Sequence, residues 1–157
     1  MPLDVTHHHL SRRAWVPLSP ARAYDLLSEV SHISHWSPNA VRAVYDAGAG
    51  PHEGAWFHGR NRRDGKEWTS RSQVQVATPG REFAYTVLGS EGTPIVRWTW
   101  AFAPYASGTA LTESWRLLAH DPVLGTTPED LDTLREATAE SMESTLLALS
   151  AWAHEHG

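Results

Sequence analysis

The sequence predicts an α+β domain: a curved antiparallel sheet of about seven strands, in the order β-α-α-β6-α, wrapped around a long C-terminal helix. Three observations carry this. From Val41 to Trp115, alternating segments are separated by turn signals. From Thr127 onward, apolar and small residues recur at every third or fourth position. A Ser19-Pro20 pair opens a short helical stretch ahead of the sheet. The chain of 157 residues has no internal repeat, linker or change in charge sign between its halves, so one domain spanning 1–157 is expected.

The first strand falls within Val5 to Val16 and is ended by Pro17 and Ser19-Pro20. Ser19 has the chemistry of a helix N-cap and Pro20 that of a first helical residue. Ala23, Leu26, Leu27 and Val30 then form one apolar face, and a second short turn occupies Ser31 to Trp36, stopped by Ser37-Pro38. Six strands follow, punctuated by Ala47 to Pro51, Asp64-Gly65, Thr78-Pro79-Gly80, Gly89 to Pro94 and Ser107-Gly108. Asp-Gly is a strong signal for a two-residue hairpin turn. Finally, Thr127-Pro128 with Glu129, Asp130 and Asp132 starts a helix whose stripe is Leu131, Leu134, Thr138, Met142, Thr145, Leu149 and Trp152. A helix of about 27 residues is about 40 Å long, enough to run along a whole sheet.

Composition narrows the function classes. With 41% hydrophobic residues and eight tryptophans the chain can bury a substantial core. It has no cysteine, which removes disulfides, thiolate metal sites and cysteine nucleophiles. Its net charge of −5 argues against nucleic acid as a partner. The cluster Arg60-Asn61-Arg62-Arg63 with Lys66 reads as a solvated strand end and turn. No apolar run approaches a membrane span, and Met1 to Val5 carries no signal-peptide pattern, so a cytoplasmic location without membrane insertion is expected.

Alternation assigns the inward face of each strand, because side chains two apart share a face. Phe57, Gly59 and Asn61 form one inward set and Trp68, Ser70, Ser72, Val74 and Val76 a second. Phe83, Tyr85 and Val87, then Trp98, Trp100 and Phe102, then Leu111, Glu113 and Trp115 complete the face. It is rich in aromatics, yet it holds a carboxylate, which is costly to bury alone. Glu113 therefore either pairs with an inward arginine or caps a loop, or it sits in a cavity that takes water and a polar ligand. Gly59, Ser70 and Ser72, with Thr138, Ser141 and Thr145 on the helix, leave room beside the tryptophans. That room is either a small-molecule cavity or space the tryptophans fill.

Several segments carry a further signature. They are His35-Trp36-Ser37-Pro38, Gly54 to Arg62, Glu67-Trp68-Thr69, Gly80-Arg81-Glu82-Phe83 and Gly108 to Ser114. With this layout, from about residue 5 to 152, the chain resembles the SRPBCC superfamily of START-like helix-grip proteins. Within it, the chain is most similar to the polyketide cyclase/dehydrase-type branch. The resemblance implies a deep cavity between sheet and C-terminal helix, used across the superfamily for lipids, sterols, polyketides and plant hormones. Some members cyclise or dehydrate a polyketide, and many are carriers. Fold alone does not choose between these. Mapped onto this chain, the implied cavity residues are Trp36, Phe57, Asn61, Ser70, Ser72, Tyr85, Trp98, Trp100 and Glu113, with Thr138, Met142 and Thr145 on the helix side and Trp36 near the entrance.

Other motifs point to little. His7-His8-His9 lacks a third ligand at any metal-site spacing, and no nucleophile elbow or phosphate loop occurs, so neither a metal nor a nucleotide cofactor is expected. His35 and His58 are expected at the surface. Acid–base chemistry, if present, would fall to Glu113, with Asn61 or Tyr85 polarising a carbonyl. The expected partner is a small hydrophobic molecule carrying a carbonyl or hydroxyl. Trp15 or Trp56, if exposed, would suit a contact between two copies in a homodimer.

Overall fold

The computed structural model describes residues 3–156; Met1, Pro2 and Gly157 lie outside the described residues. Seven antiparallel strands form one sheet in the order β1-β7-β6-β5-β4-β3-β2. They are β1 His9–Val16, β2 Ala40–Tyr45, β3 Trp56–Arg63, β4 Lys66–Thr78, β5 Glu82–Leu88, β6 Pro94–Tyr105 and β7 Gly108–Leu117. The first and second strands lie at opposite edges. The chain crosses between them through helix α1, Pro20–Ser28, and a 3-10 helix, Val30–His35. The long helix α2, Pro128–His156, follows the last strand.

Local chemistry accounts for these boundaries. Ser19 caps α1 by accepting a hydrogen bond from the Arg22 N–H at 3.2 Å, with Pro20 at the first helical position. Asp64 and Gly65 both have positive φ, 52° and 79°, which is the backbone of the hairpin turn between β3 and β4. At the start of α2, Asp130 accepts from the Thr126 and Thr127 N–H groups, and the Thr127 hydroxyl accepts from the Asp130 N–H at 3.1 Å.

Helix α2 buries Leu131, Thr138, Met142, Thr145, Leu146, Leu149 and Ala153. Each of its large apolar side chains contributes about 1.5–3 kcal/mol of burial. Two apolar clusters result. One gathers Leu27, Val30, Trp36, Phe57, Phe83, Trp100, Phe102, Leu111, Leu146 and Leu149; the other gathers Ile95, Val96, Trp115, Leu117, Leu131 and Met142. Between them the inner face of the sheet is open.

One inward assignment is corrected. A β-bulge between Val74 and Val76 shifts the register, so that Val76 pairs with Ala84 on the outer face and Ala77 pairs with inward-facing Phe83. The inner positions of β4 are therefore Trp68, Ser70, Ser72, Val74 and Ala77. Trp15 and Trp56 are both half-buried and engaged within the chain. The Trp15 indole N–H donates to the Tyr105 carbonyl at 2.9 Å, and Arg71 stacks over Trp56 at 4.5 Å.

Candidate ligand cavity

A cavity of about 750 Å³ lies between the inner face of the sheet and α2. This is within the range of sites that enclose metabolite-sized molecules. Its wall contains Trp36, Phe57, Asn61, Ser70, Ser72, Tyr85, Trp98, Trp100, Glu113, Thr138, Met142 and Thr145. The sheet supplies the aromatic wall by register: Tyr85 pairs with Trp98, Phe83 with Trp100, Trp98 with Trp115 and Trp100 with Glu113. Phe57 meets Tyr85 edge-on, with ring centroids 5.0 Å apart.

Small residues keep the volume open. A Cβ on Gly59 would meet the Arg42 carbonyl oxygen and Ser70 Oγ at 3.2 Å, so β2, β3 and β4 pack closely there only because glycine has no side chain. Across the cavity the Thr138 hydroxyl donates back to the Leu134 carbonyl at 2.7 Å, which satisfies it within the helix. The wall is thus apolar in most directions, and the helix side presents methyl groups and short side chains.

Glu113 is the exception. It is 5% exposed, and its Oε1 is buried without a hydrogen-bond partner. Burial pushes its carboxyl up to about 8 from an ordinary 4.5, so it is protonated at neutral pH. Burial and the neighbouring Glu113 charge together push the Tyr85 hydroxyl upward. An inward arginine does face Glu113 across the strands, because Arg12 on β1 is its Cα partner. The Arg12 guanidinium nevertheless turns back to donate to the Ser11 carbonyl at 2.9 Å, and none of the ion pairs among the described residues involves Glu113. The pairing expected as an alternative is not made.

Two expected placements change. Asn61 and Glu113 do not share a corner of the cavity. Asn61 lies opposite Trp68 and donates to Ser70 Oγ at 3.2 Å, whereas Glu113 lies at the level of Trp100 and Phe83. Tyr85 is the closer companion of the carboxyl. Trp36 is only 4% exposed and packs edge-on against Trp152 at 5.8 Å, so it forms an inner wall and not an entrance. Several lining residues are exposed, among them Lys66, Glu67, Trp68, Thr69 and Val123, and these mark an open end at the β3–β4 hairpin and the 122–124 turn. Trp68 is 44% exposed there. His35 and His58 are exposed, and His58 faces Asp46 at 3.3 Å. Among the described residues no group of three or more metal-ligating side chains comes together, and no helix is long and apolar enough to cross a membrane.

Sequence reasoning missed Arg63. It lies two positions beyond Asn61 on the same strand, and it lines the open end with Asn39 and Ser141. The signal lies in the alternation Phe57, Gly59, Asn61, Arg63, but a cationic side chain at a strand end reads as solvent-facing.

A curved antiparallel sheet holding an aromatic cavity against a long C-terminal helix defines a helix-grip domain. The chain belongs to the polyketide cyclase/dehydrase and lipid transport family, which matches residues 7–152. No functionally curated protein matches it by sequence. Among solved structures it is similar to StfQ, a di-domain ARO/CYC protein from the steffimycin biosynthetic pathway. The two are 23% identical with a TM-score of 0.74 over 95% of this chain and 51% of StfQ, so the chain spans about half of that protein. It is also similar to the Polyketide_cyc-like protein Cgl2372 from Corynebacterium glutamicum, at 28% identity and a TM-score of 0.62 over 90% of this chain and 88% of that one. Ara h 8.0201 shares the fold at 13% identity and a TM-score of 0.70, covering 94% of this chain and 98% of that one.

Proposed function

We propose that the chain is a single binding domain for a small hydrophobic metabolite carrying a carbonyl or hydroxyl. One observation carries this reading: a carboxyl with an unpartnered buried oxygen, Glu113, in the wall of an otherwise aromatic cavity of about 750 Å³. A buried polar atom without a partner is costly, and a ligand that hydrogen-bonds to it recovers that cost. Glu113, protonated at neutral pH, would donate to a carbonyl oxygen and accept from a hydroxyl. Trp98, Trp100, Phe57 and Tyr85 would cover the apolar body of the ligand, with Ser70 and Ser72 giving it room. Thr138, Met142 and Thr145 would close it from the helix, and Trp36 would form part of the buried wall.

A second reading is favoured by the raised Glu113 carboxyl, the family, and the ARO/CYC proteins among its structural relatives. In it the cavity is that of a cyclase or dehydratase. On a β-hydroxy ketone the deprotonated fraction of Glu113, about a tenth at neutral pH for a carboxyl near 8, would take the proton from the carbon beside the carbonyl and return it to the departing hydroxyl. The C–O bond breaks, water leaves and a C=C bond forms, with no other reactant. Tyr85 would hold the carbonyl oxygen as negative charge develops. A carboxyl near 8 suits both halves of that transfer at neutral pH. Asn61, its amide committed to Ser70 at the other end, would serve as a second contact on a long substrate.

Native mass spectrometry of the protein purified from its own host tests the first reading: a mass increment matching a small organic molecule is expected, and a stripped mass under all gentle conditions argues against a resident ligand. Glu113→Gln separates the two readings once a substrate-like ligand is known. Turnover lost by a factor of about 10²–10⁴ at unchanged affinity supports acid–base chemistry. Turnover that survives the substitution eliminates it.

A further inference from the structure

The basic cluster on the β3–β4 hairpin has a use that the cavity's aromatic wall does not explain. Its members face two ways. Arg60 and Arg62 point outward and are exposed, and Arg62 lies 3.9 Å from Glu67. Arg63 points inward at the cavity's open end, half-buried, and none of the ion pairs among the described residues involves it. Its guanidinium is held by neutral groups only: Nε donates to Asn39 Oδ1 at 3.5 Å and one terminal N–H donates to Ser141 Oγ at 3.2 Å. Lys66, the β-sheet partner of Arg63, also lines this end.

Ser141 sharpens the case. Its Oγ already accepts from Arg63 and, at 2.9 Å, from the Asn39 amide. With both acceptor positions used, the hydroxyl proton remains to be donated. Ser141 lines the cavity from α2 and Arg63 lines it from β3, so a hydroxyl and a guanidinium in contact at 3.2 Å stand together at the open end. The side chains are already cross-linked to one another, which fixes the fork geometry that suits a carboxylate.

We infer that this end of the cavity is an anion subsite. Building on the ligand-binding reading above, the ligand class becomes an amphipathic carboxylic acid. Its carboxylate meets Arg63 and Ser141 at the open end, its apolar middle lies on the aromatic wall, and its hydroxyl or carbonyl lies toward Glu113. The β-sheet register supports the two-ended arrangement. Arg63 pairs with Lys66, at the hairpin end of β4. Glu113 projects through Trp100 and Phe83 onto Ala77, close to the other end of the same strand.

The test uses the full chain and two probes of equal length, 10-hydroxydecanoate and 1,10-decanediol, titrated calorimetrically at neutral pH. The acid is expected to bind at least about tenfold more tightly than the diol, a preference that shrinks with added salt. Arg63→Gln should abolish that preference while leaving the diol's affinity in place, and Arg62→Gln, one residue away and outward, should leave both affinities unchanged. Arg63→Lys, which keeps the charge but loses the fork, should retain only part of the preference and covers the case of an unfolded Gln variant. Equal affinity for both probes in the unsubstituted protein overturns the subsite and leaves the cavity reading intact. So does an Arg63→Gln variant that weakens both probes alike, which would mark Arg63 as a brace between β3 and α2. Failure of both probes to bind overturns the cavity reading and this inference with it.

Discussion

Replacing Glu113 by glutamine tests the electrostatics of the cavity without any ligand. The folded carboxyl sits at about 8 against an ordinary 4.5, so the folded state keeps a proton that the unfolded chain releases. The Glu113 contribution is therefore fully present below about pH 4.5, declines as pH rises to about 8 and levels off beyond it. At 1.36 kcal/mol per pH unit the complete decline is about 5 kcal/mol, of which about 4 kcal/mol falls between pH 5 and pH 8.5. Glutamine has nearly the shape of the protonated acid and does not titrate. At about pH 5 the two proteins should differ by no more than about 1 kcal/mol, and at about pH 8.5 the variant should be more stable by about 4 kcal/mol. Urea unfolding followed by tryptophan fluorescence at several pH values measures this directly. Groups that the substitution does not touch contribute equally to both proteins and cancel in the difference. A difference that does not vary with pH would refute the picture of a dry, unpaired carboxyl. It would mean that Glu113 is hydrated or ion-paired in solution.

Three further predictions address the frame of the cavity. Ser72 is 3% exposed and lines the cavity, so Ser72→Leu should leave stability within about 1 kcal/mol while reducing ligand affinity at least tenfold. A loss above about 2 kcal/mol in a melting experiment would show instead a filled core at that point. A Cβ on Gly108 would collide with the Val16 carbonyl oxygen and meet the Trp15 ring at 2.8 Å, so Gly108→Ala should lower stability by about 2–3 kcal/mol and Tm by several degrees. Asp121 accepts from the Ser90 N–H and O–H and the Val123 N–H, at 2.9, 2.8 and 2.9 Å, and these bonds hold its carboxyl below the usual range. Its contribution is present above the ordinary carboxylate pKa and disappears as pH falls through the folded value. Asp121→Asn should thus weaken the fold at neutral pH and flatten the acid limb of the stability profile.

The elements were legible because turn chemistry and periodicity agreed along the chain. Ser19-Pro20, Asp64-Gly65 and Thr127-Pro128 each form the cap or turn that their residue types favour. The inward faces of β3, β5, β6 and β7 followed from alternation alone. The bulge at Val74 and Val76 was not legible, because no glycine or proline marks it; it is visible only as a shift against β5. The separation of Asn61 from Glu113 was hidden for a related reason. It is set by the stagger of successive strand pairs, which local spacing does not contain. Trp36 was misplaced because the contact that buries it, with Trp152, joins residues far apart in the sequence.

Arg12 shows why residue identity alone could not decide the state of Glu113. The two are Cα partners on adjacent strands, with β1 at the edge of the sheet. An arginine opposite a glutamate ordinarily reads as a cross-strand ion pair. Burying that pair would require the guanidinium to leave water for an aromatic wall, a desolvation cost that attraction alone often fails to offset. At an edge strand the longer side chain has an alternative, and Arg12 takes it by bonding to the Ser11 carbonyl. The glutamate, fixed on β7 between β1 and β6, has no such exit and keeps its proton instead. Arg63 at the open end resolves the same conflict differently. Close to solvent, it retains its charge and rests on the neutral oxygens of Asn39 and Ser141. The cavity therefore presents a neutral donor–acceptor where its wall is dry and a positive charge at its mouth, and the different burial of two positions on one sheet face sets that polarity.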